Sequence, residues 1–241
     1  MADVKLCVSY CLYGARRIYL EGMLLNVYLC KKYYPGATII VWHDNSVPAG
    51  AIELITKAGA ECKIPGRPLI LLGNELRMLW RFLPMDPGMG YDAVLSRDAD
   101  SRVGPRETAA VNQWLDSGRL AHNMKDSGSH TARLMGGMCG FRTRFEGIHR
   151  MILRWVANRI STPSWWAPEG WDQAFLGDVI WPIVSEDCLV HGDGEPWPEG
   201  PGTWKDDNGV EHEDYHVGSQ EGPRINSELG QVAPIWKYCT P

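Results

Sequence analysis

The run VKLCVSYCLYGARRIYLEGMLLNVYLCKKYYPGATIIVWHDN, residues 4–45, is the stretch from which the fold is read. Val4 to Tyr10 has the apolar character of a buried strand, and Tyr13-Gly14 ends it as a turn. From Arg16 to Tyr33, apolar side chains recur at helical spacing (Ile18, Leu20, Met23, Leu24, Val27, Leu29, Cys30), which predicts a helix. Pro35-Gly36 stops it, and Thr38-Ile-Ile-Val-Trp42 is a β-branched strand that runs into His43-Asp44-Asn45. Outward from this stretch, Pro48 to Ala58 reads as an amphipathic helix and Gly59 to Lys63 as a short strand. Strand–helix–strand–helix–strand predicts an α/β fold of Rossmann type, with an open, mostly parallel mixed sheet flanked by helices. Such a sheet offers its ligand sites where the carboxyl ends of its strands meet the loops.

Further along, Asn74 to Phe82 predicts a helix capped by Asn74 and ended before Pro84. Tyr91 to Ser96 is a strand leading into Arg97-Asp98-Ala99-Asp100-Ser101-Arg102, and Pro105 opens a helix through Trp114. Residues 134–142 form a glycine-rich strand or loop, and Phe145–Ile160 and Gly170–Trp181 are helical. The density of Pro, Gly, Asp and Glu beyond Glu195 predicts irregular structure, and Ser185 to Asp214 reads as a solvated acidic loop. With no repeat and no Ser/Gly-rich linker, the 241 residues are expected to form a single domain, 1–241.

Composition narrows the class. Hydrophobic residues at 44% and charged residues at 22% are those of a soluble globular chain. No apolar run approaches the roughly 18–20 residues needed to span a bilayer, and the start lacks the basic and apolar regions of a signal peptide. Seven scattered cysteines with no Cys-x-x-Cys pair argue against a disulfide framework or structural zinc and for a reducing, cytoplasmic setting. The net charge of −5 is uneven: +2 over residues 1–76, +5 over 77–159 and −12 over 160–241. A basic middle suits a small anion such as a diphosphate, whereas the acidic last third disfavours nucleic acid.

Asp98 and Asp100 follow an apolar strand, where side chains two apart point to one side about 6.8 Å apart. Two such carboxylates repel each other, and a divalent cation with oxygen-ligand preference, Mg2+ or Mn2+, removes the repulsion. It would also screen a diphosphate leaving group. A turn in which the pair caps amides or meets Arg97 and Arg102 is the plainer alternative. Gly136-Gly137 lets backbone approach a ligand closely, or else marks a bend.

Trp80-Arg-Phe-Leu-Pro84, Ser96 to Arg102, Arg106 to Trp114, His122 to Asp126, His130, Gly136-Gly-Met-Cys-Gly140 and Asp172-Gln173 together resemble a family of small GT-A-type glycosyltransferases of large DNA viruses and bacteria. The likeness starts at Ser9-Tyr-Cys-Leu-Tyr-Gly14, reaches His216-Val-Gly218 and is strongest over 74–142. Lys125 departs from it, standing where arginine is expected.

What the resemblance implies is a nucleotide-sugar donor, such as a UDP-sugar, with Mn2+ or Mg2+ on the Asp-x-Asp motif, a nucleotide-binding half at about 1–102 and an acceptor-binding half at about 103–241. It implies that Ser9 to Tyr13 meets the nucleoside, with Tyr10 or Tyr13 stacking on the base. Arg77, Arg81 and Arg97 become candidates for the diphosphate or donor sugar, joined by Asp98, Gly136 and Gly137. A third metal ligand is expected from His216, with His191 as its rival. Asp126 would bind donor-sugar hydroxyls, and Asp172, at a helix start that favours an ionised carboxylate, would be the general base. One of Trp165, Trp166 and Trp171 is expected against a glycan or other hydroxyl acceptor.

The expected reaction is sugar transfer at the anomeric carbon. There are three rivals: a nucleotidyltransferase acting on sugar phosphates, a non-catalytic nucleotide-sugar or glycan-binding module, and one that changes only the acceptor, to a modified DNA base. The first would show a glycine- and lysine-rich phosphate loop, which Ser9 to Gly14 lacks. A viral origin would place the protein in the host cytoplasm.

Overall fold

The side chains of the first strand alternate between two apolar clusters. The structure, a computed structural model, describes residues 4–125, 130–161, 170–192, 203–205, 211–213 and 233–240. In β1 (Leu6–Leu12), Val8, Tyr10 and Leu12 enter one cluster while Cys7 and Cys11 join the other. β2 (Thr38–His43) repeats the division, with Ile39 and Val41 on the first side and Ile40 and Trp42 on the second. A sheet buried on both faces makes its strands near-continuously apolar, the character that marks them in the sequence.

Helices complete both layers. α1 (Arg17–Tyr33), α2 (Ala49–Ala58) and α3 (Pro105–Ser117) cover the first face with Leu20, Leu24, Ile55, Val111 and Trp114. The second is covered by a 3-10 helix (Asn74–Met85), α4 (Ile148–Ile160), α5 (Trp171–Phe175) and α6 (Trp181–Val184), which a π-helical turn (Leu176–Ile180) joins to α5. Trp80, Phe82, Ile152 and Phe175 are its buried anchors. The 3-10 helix runs through Pro84 to Met85, past the expected end. Its tighter winding, three residues per turn, sets Met78 and Arg81 on one face.

The remaining strands are β3 (Glu61–Lys63), β4 (Ala93–Arg97), β5 (Ala121–Met124), β6 (Met138–Arg142) and β7 (Cys188–His191). They build one seven-stranded sheet in the order β3-β2-β1-β4-β6-β5-β7, all parallel except β6. The expected open, mostly parallel α/β sheet is therefore present. The chain travels outward from β1 through β2 to β3, then crosses back to place β4 on the other side of β1. That reversal leaves a crevice beyond the carboxyl ends of β1 and β4, the switch point where open sheets bind ligands. Among the described residues no helix is long and apolar enough to cross a membrane.

Two expectations for the acidic last third need correction. Cys188–His191 is not solvated loop but strand β7, paired in parallel with β5, with Cys188, Leu189 and His191 buried. Beyond Glu195, where irregular structure is expected, the described residues include two strands paired antiparallel, β8 (Thr203–Lys205) and β9 (Glu211–Glu213). Four residues are too few for periodicity to reveal a strand; the pairing with β5 makes it one. The C-terminal turn Ala233–Tyr238 returns to the first helix, where Trp236 Nε1 donates to Glu21 Oε2 at 3.0 Å and Thr240 N to Ala15 O at 2.7 Å.

Between β5 and β7 lies a buried histidine pair. His122 Nε2 and His191 Nδ1 are 2.8 Å apart, His191 Nε2 reaches Gln113 Oε1 at 3.1 Å, and Trp114 stacks on the His122 ring. Burial, reinforced by His191 and then Arg97, holds the His122 imidazole well below its ordinary pKa. Because the folded value is depressed, the unfolded chain binds the proton first. Stability present above about pH 6.5 is then lost as pH falls, at a limiting slope of about 1.4 kcal/mol per pH unit. Urea unfolding between pH 7 and 5 should show this slope, and His122→Gln should flatten it; equal slopes in both proteins would remove His122 as the cause.

Candidate active site at the carboxyl ends of β1 and β4

β4 ends at Arg97, and the next residues turn back on themselves, with Ser101 N donating to Asp98 O at 3.3 Å. α1 holds this turn from one side. Asn26, fully buried, donates through Nδ2 to Ala99 O at 3.3 Å and Ser101 O at 2.7 Å, and accepts from Val103 N at 3.4 Å. One helical turn earlier, Gly22 lets the helix lie against the same turn, since a Cβ there would strike Ala99 O and the Arg102 guanidinium. Asp98 and Asp100 thus sit on a clamped turn beyond the strand rather than on the strand itself.

Both aspartates line a cavity of about 220 Å³ together with Tyr13, Tyr19, Met78 and Arg81. Its position is the crevice between the ends of β1 and β4. Cys11 closes the wall as a neutral thiol, its pKa pushed up to about 12 chiefly by burial. Arg16 lies over the Tyr19 ring at 5.4 Å, and burial followed by the nearby Asp100 carboxylate raises the Tyr19 phenol above its ordinary value.

Arg81 is 2% exposed and carries the central charge. Its Nη1 is paired with Asp98 Oδ1 and its Nη2 with Asp172 Oδ2. Burial works against its charge, but Asp98 and then Asp172 outweigh that and hold its pKa well above the ordinary value. Gly136 and Gly137 lie directly against this group: a Cβ on Gly136 would collide with the Asp172 carboxylate, and one on Gly137 with that of Asp98. The close backbone approach read from Gly-Gly is real, and what it accommodates in this structure is carboxylate side chains.

Asp98, Asp100 and Asp172 outnumber the two guanidiniums at this turn, Arg81 and Arg102, whose Nη1 donates to Asp100 O at 2.9 Å. Asp98 gives Oδ1 to Arg81 and retains Oδ2, its side chain is 38% exposed, and Asp100 faces the same cavity. The pair therefore fits Mg2+ or Mn2+. No set of three His, Cys, Asp or Glu side chains is preassembled for a metal among the described residues. The remaining positions would fall to water and donor phosphates, as Mg2+ sites usually leave them.

Other expected site residues lie elsewhere. Tyr10 is fully buried in the first cluster with its hydroxyl 3.3 Å from Cys30 Sγ, so it has no face for a base. Ser9 is also fully buried, within β1 and away from the cavity. Arg97 is 2% exposed and bonded within the fold: Nε donates to Glu107 Oε1 at 2.7 Å and Nη1 to Ser96 O and Cys139 O. His191 is unsuited to the metal because His122 and Gln113 occupy its two ring nitrogens. Asp172, the expected base, is 4% exposed and outside the cavity lining. Arg77 reaches Asp44 Oδ2 at 2.9 Å and lies over the Tyr13 ring at 5.6 Å, beside the cavity. Trp171 packs edge-on against Trp155. Asp126, His216, Trp165 and Trp166 fall outside the described residues.

Sequence reasoning missed Asn26, Gly22, Tyr19 and Asp44. Asp44 stands just past β2 on the same sheet edge, accepts from Ser46 N at 2.9 Å and anchors Arg77; Ser46 Oγ in turn accepts from Gly14 N at 2.8 Å. A carboxylate at a predicted strand end was its available signal. Asn26 carried none, because a polar residue on an apolar helix face reveals its partner only after folding.

No family model and no curated protein matches the sequence. Solved structures do. A glycosyltransferase, GlyE, of Streptococcus pneumoniae superposes with a TM-score of 0.51 at 11% identity over 79% of this chain and 46% of its own. The fold is of the GT-A type. A glycosyltransferase involved in glycosylating the major capsid of PBCV-1 gives 0.47 at 13% identity, over 78% of this chain and 81% of that one. The mannosyltransferase PcManGT of Pyrobaculum calidifontis, in complex with GDP-Man and Mn2+, gives 0.48 at 13%, over 81% and 58%. At such identities the likeness shows the fold alone.

Proposed function

We propose that the chain is a metal-dependent glycosyltransferase that moves a sugar from a nucleotide-sugar, a UDP-sugar in our reading, to a hydroxyl acceptor, a glycan in our reading. The observation that carries this is the pair Asp98 and Asp100 facing one cavity at the switch point of a GT-A-type sheet. The narrower family that residues 74–142 resemble belongs to the same proposal, as does a reducing, cytoplasmic setting for its seven free thiols.

Asp98 and Asp100 would hold Mn2+ or Mg2+, which when bound supplies Lewis-acid screening of the departing diphosphate. The chain's own residues do the rest. Tyr13, with Arg77 over its ring, offers a face beside the cavity on which a base can stack. The Gly14–Ser46–Asp44 hydrogen bonds tie the loop after β1 to the loop after β2, so that this face is set before the donor arrives. Asn26 holds the Asp98–Ser101 turn, which fixes the spacing of the two carboxylates. Asp126 and His216 keep their proposed parts, the sugar hydroxyls and the third metal position.

Thermal unfolding with UDP-, GDP- and dTDP-sugars tests the reading. A UDP-sugar should stabilise the protein when Mn2+ is present, by about 2.7 kcal/mol at a hundredfold excess over Kd, and much less in EDTA. A shift confined to nucleoside triphosphate with sugar phosphate would favour nucleotidyl transfer. Donor stabilisation without any donor hydrolysis would favour a binding module, and salt-sensitive DNA binding would revive the modified-base acceptor. No shift with any sugar nucleotide would sink the proposal.

A further inference from the structure

Arg81 spends its two terminal nitrogens on two different carboxylates, one of them facing the cavity and the other behind it. The side chain of Asp98 is 38% exposed and that of Asp172 only 6%. A general base must come within hydrogen-bond reach of the acceptor hydroxyl. Asp172 instead points an oxygen at the guanidinium, with Gly136 pressed against it.

We propose that Asp172 is a positioning residue that draws part of the Arg81 charge away from Asp98, keeping Asp98 available to a divalent cation. The inference rests on the metal-dependent reading above. Its physics is competition. A guanidinium that forks across two carboxylates neutralises neither completely, whereas the same guanidinium with one partner left would pair with Asp98 alone. Loss of Asp172 also removes one negative charge from the group, so both effects oppose cation binding. Gly136 and Gly137 belong to the same device, because each leaves room for one of the two carboxylates at the backbone. Residues that orient a metal ligand from behind typically change metal affinity 10–100-fold when lost.

The test is Mn2+ titration of the full chain by calorimetry, with and without UDP, for wild type, Asp172→Asn and the double variant Arg81→Gln with Asp172→Asn. Asp172→Asn should bind Mn2+ roughly tenfold or more weakly. The double variant removes the competing cation together with the carboxylate, leaves the net charge of the group as in wild type, and should return to within about threefold of wild type. A merely structural part for Asp172 would not produce that rescue. Wild-type Mn2+ affinity in Asp172→Asn, with transfer collapsed, would overturn the inference and return Asp172 to the role of base. Should Asp172→Asn fail to fold, the double variant decides: affinity near wild type supports the proposal, and a loss of tenfold or more overturns it. A wild-type chain with no saturable Mn2+ binding in either condition refutes the metal-dependent reading itself and this inference with it.

Discussion

Asp100→Ala is expected to lower kcat/KM for sugar transfer by about a thousandfold or more, the scale on which loss of preorganised charge stabilisation acts. Asp98 already gives one oxygen to Arg81, so without Asp100 the cavity would present a single shared carboxylate to the cation. Donor hydrolysis should fall with transfer, since both need the diphosphate to leave. The fold should hardly notice: Asp100 is only partly buried, and substitutions away from core features usually stay within about 0.5 kcal/mol. Steady-state kinetics beside urea unfolding would separate the two effects. Full activity of Asp100→Ala in excess EDTA would end the metal mechanism.

The largest effect on stability is expected from Glu107→Ala. Glu107 is 3% exposed, and its Oε1 accepts from Arg97 Nε and from the Tyr34 hydroxyl, each at 2.7 Å. Burial works against the Arg97 charge and Glu107 overrides it, so the guanidinium remains protonated. Removing the carboxylate leaves a cation in the interior with no counter-charge, a loss of about 3–5 kcal/mol against a typical total of roughly 5–15 kcal/mol. The double replacement Arg97→Met with Glu107→Leu should recover most of that, because neutral packing replaces the pair instead of orphaning half of it. If Arg97 were a diphosphate ligand, the double variant would fold yet lose donor binding. Unchanged donor-induced stabilisation in that protein would confirm the cation as structural.

The two results divide what was legible from what was not. β1, β2, α1 and α2 were readable because each is specified by contacts within one turn or one pleat, and periodicity reports those directly. The sheet edge that would carry the site followed from their order. β7 was not readable: Cys188–His191 is four residues long and becomes a strand by pairing with Ala121–Met124. Arg77, Arg81 and Arg97 looked alike in the sequence, each a guanidinium near an acidic pair.

By itself the sequence determined an α/β sheet of mostly parallel strands, a carboxylate pair at the end of the fourth strand, and two glycines that some close approach required. Tertiary structure decided which arginine sits beneath that pair. Arg97 is claimed by Glu107, ten residues away on the next helix, whereas Arg81 meets Asp172, ninety-one residues further along. It also decided that the glycines admit those carboxylates. The physical reason is that an ion pair in the interior depends on which side chains share a low-dielectric space, and only the folded chain brings residues 81, 98, 136 and 172 into one.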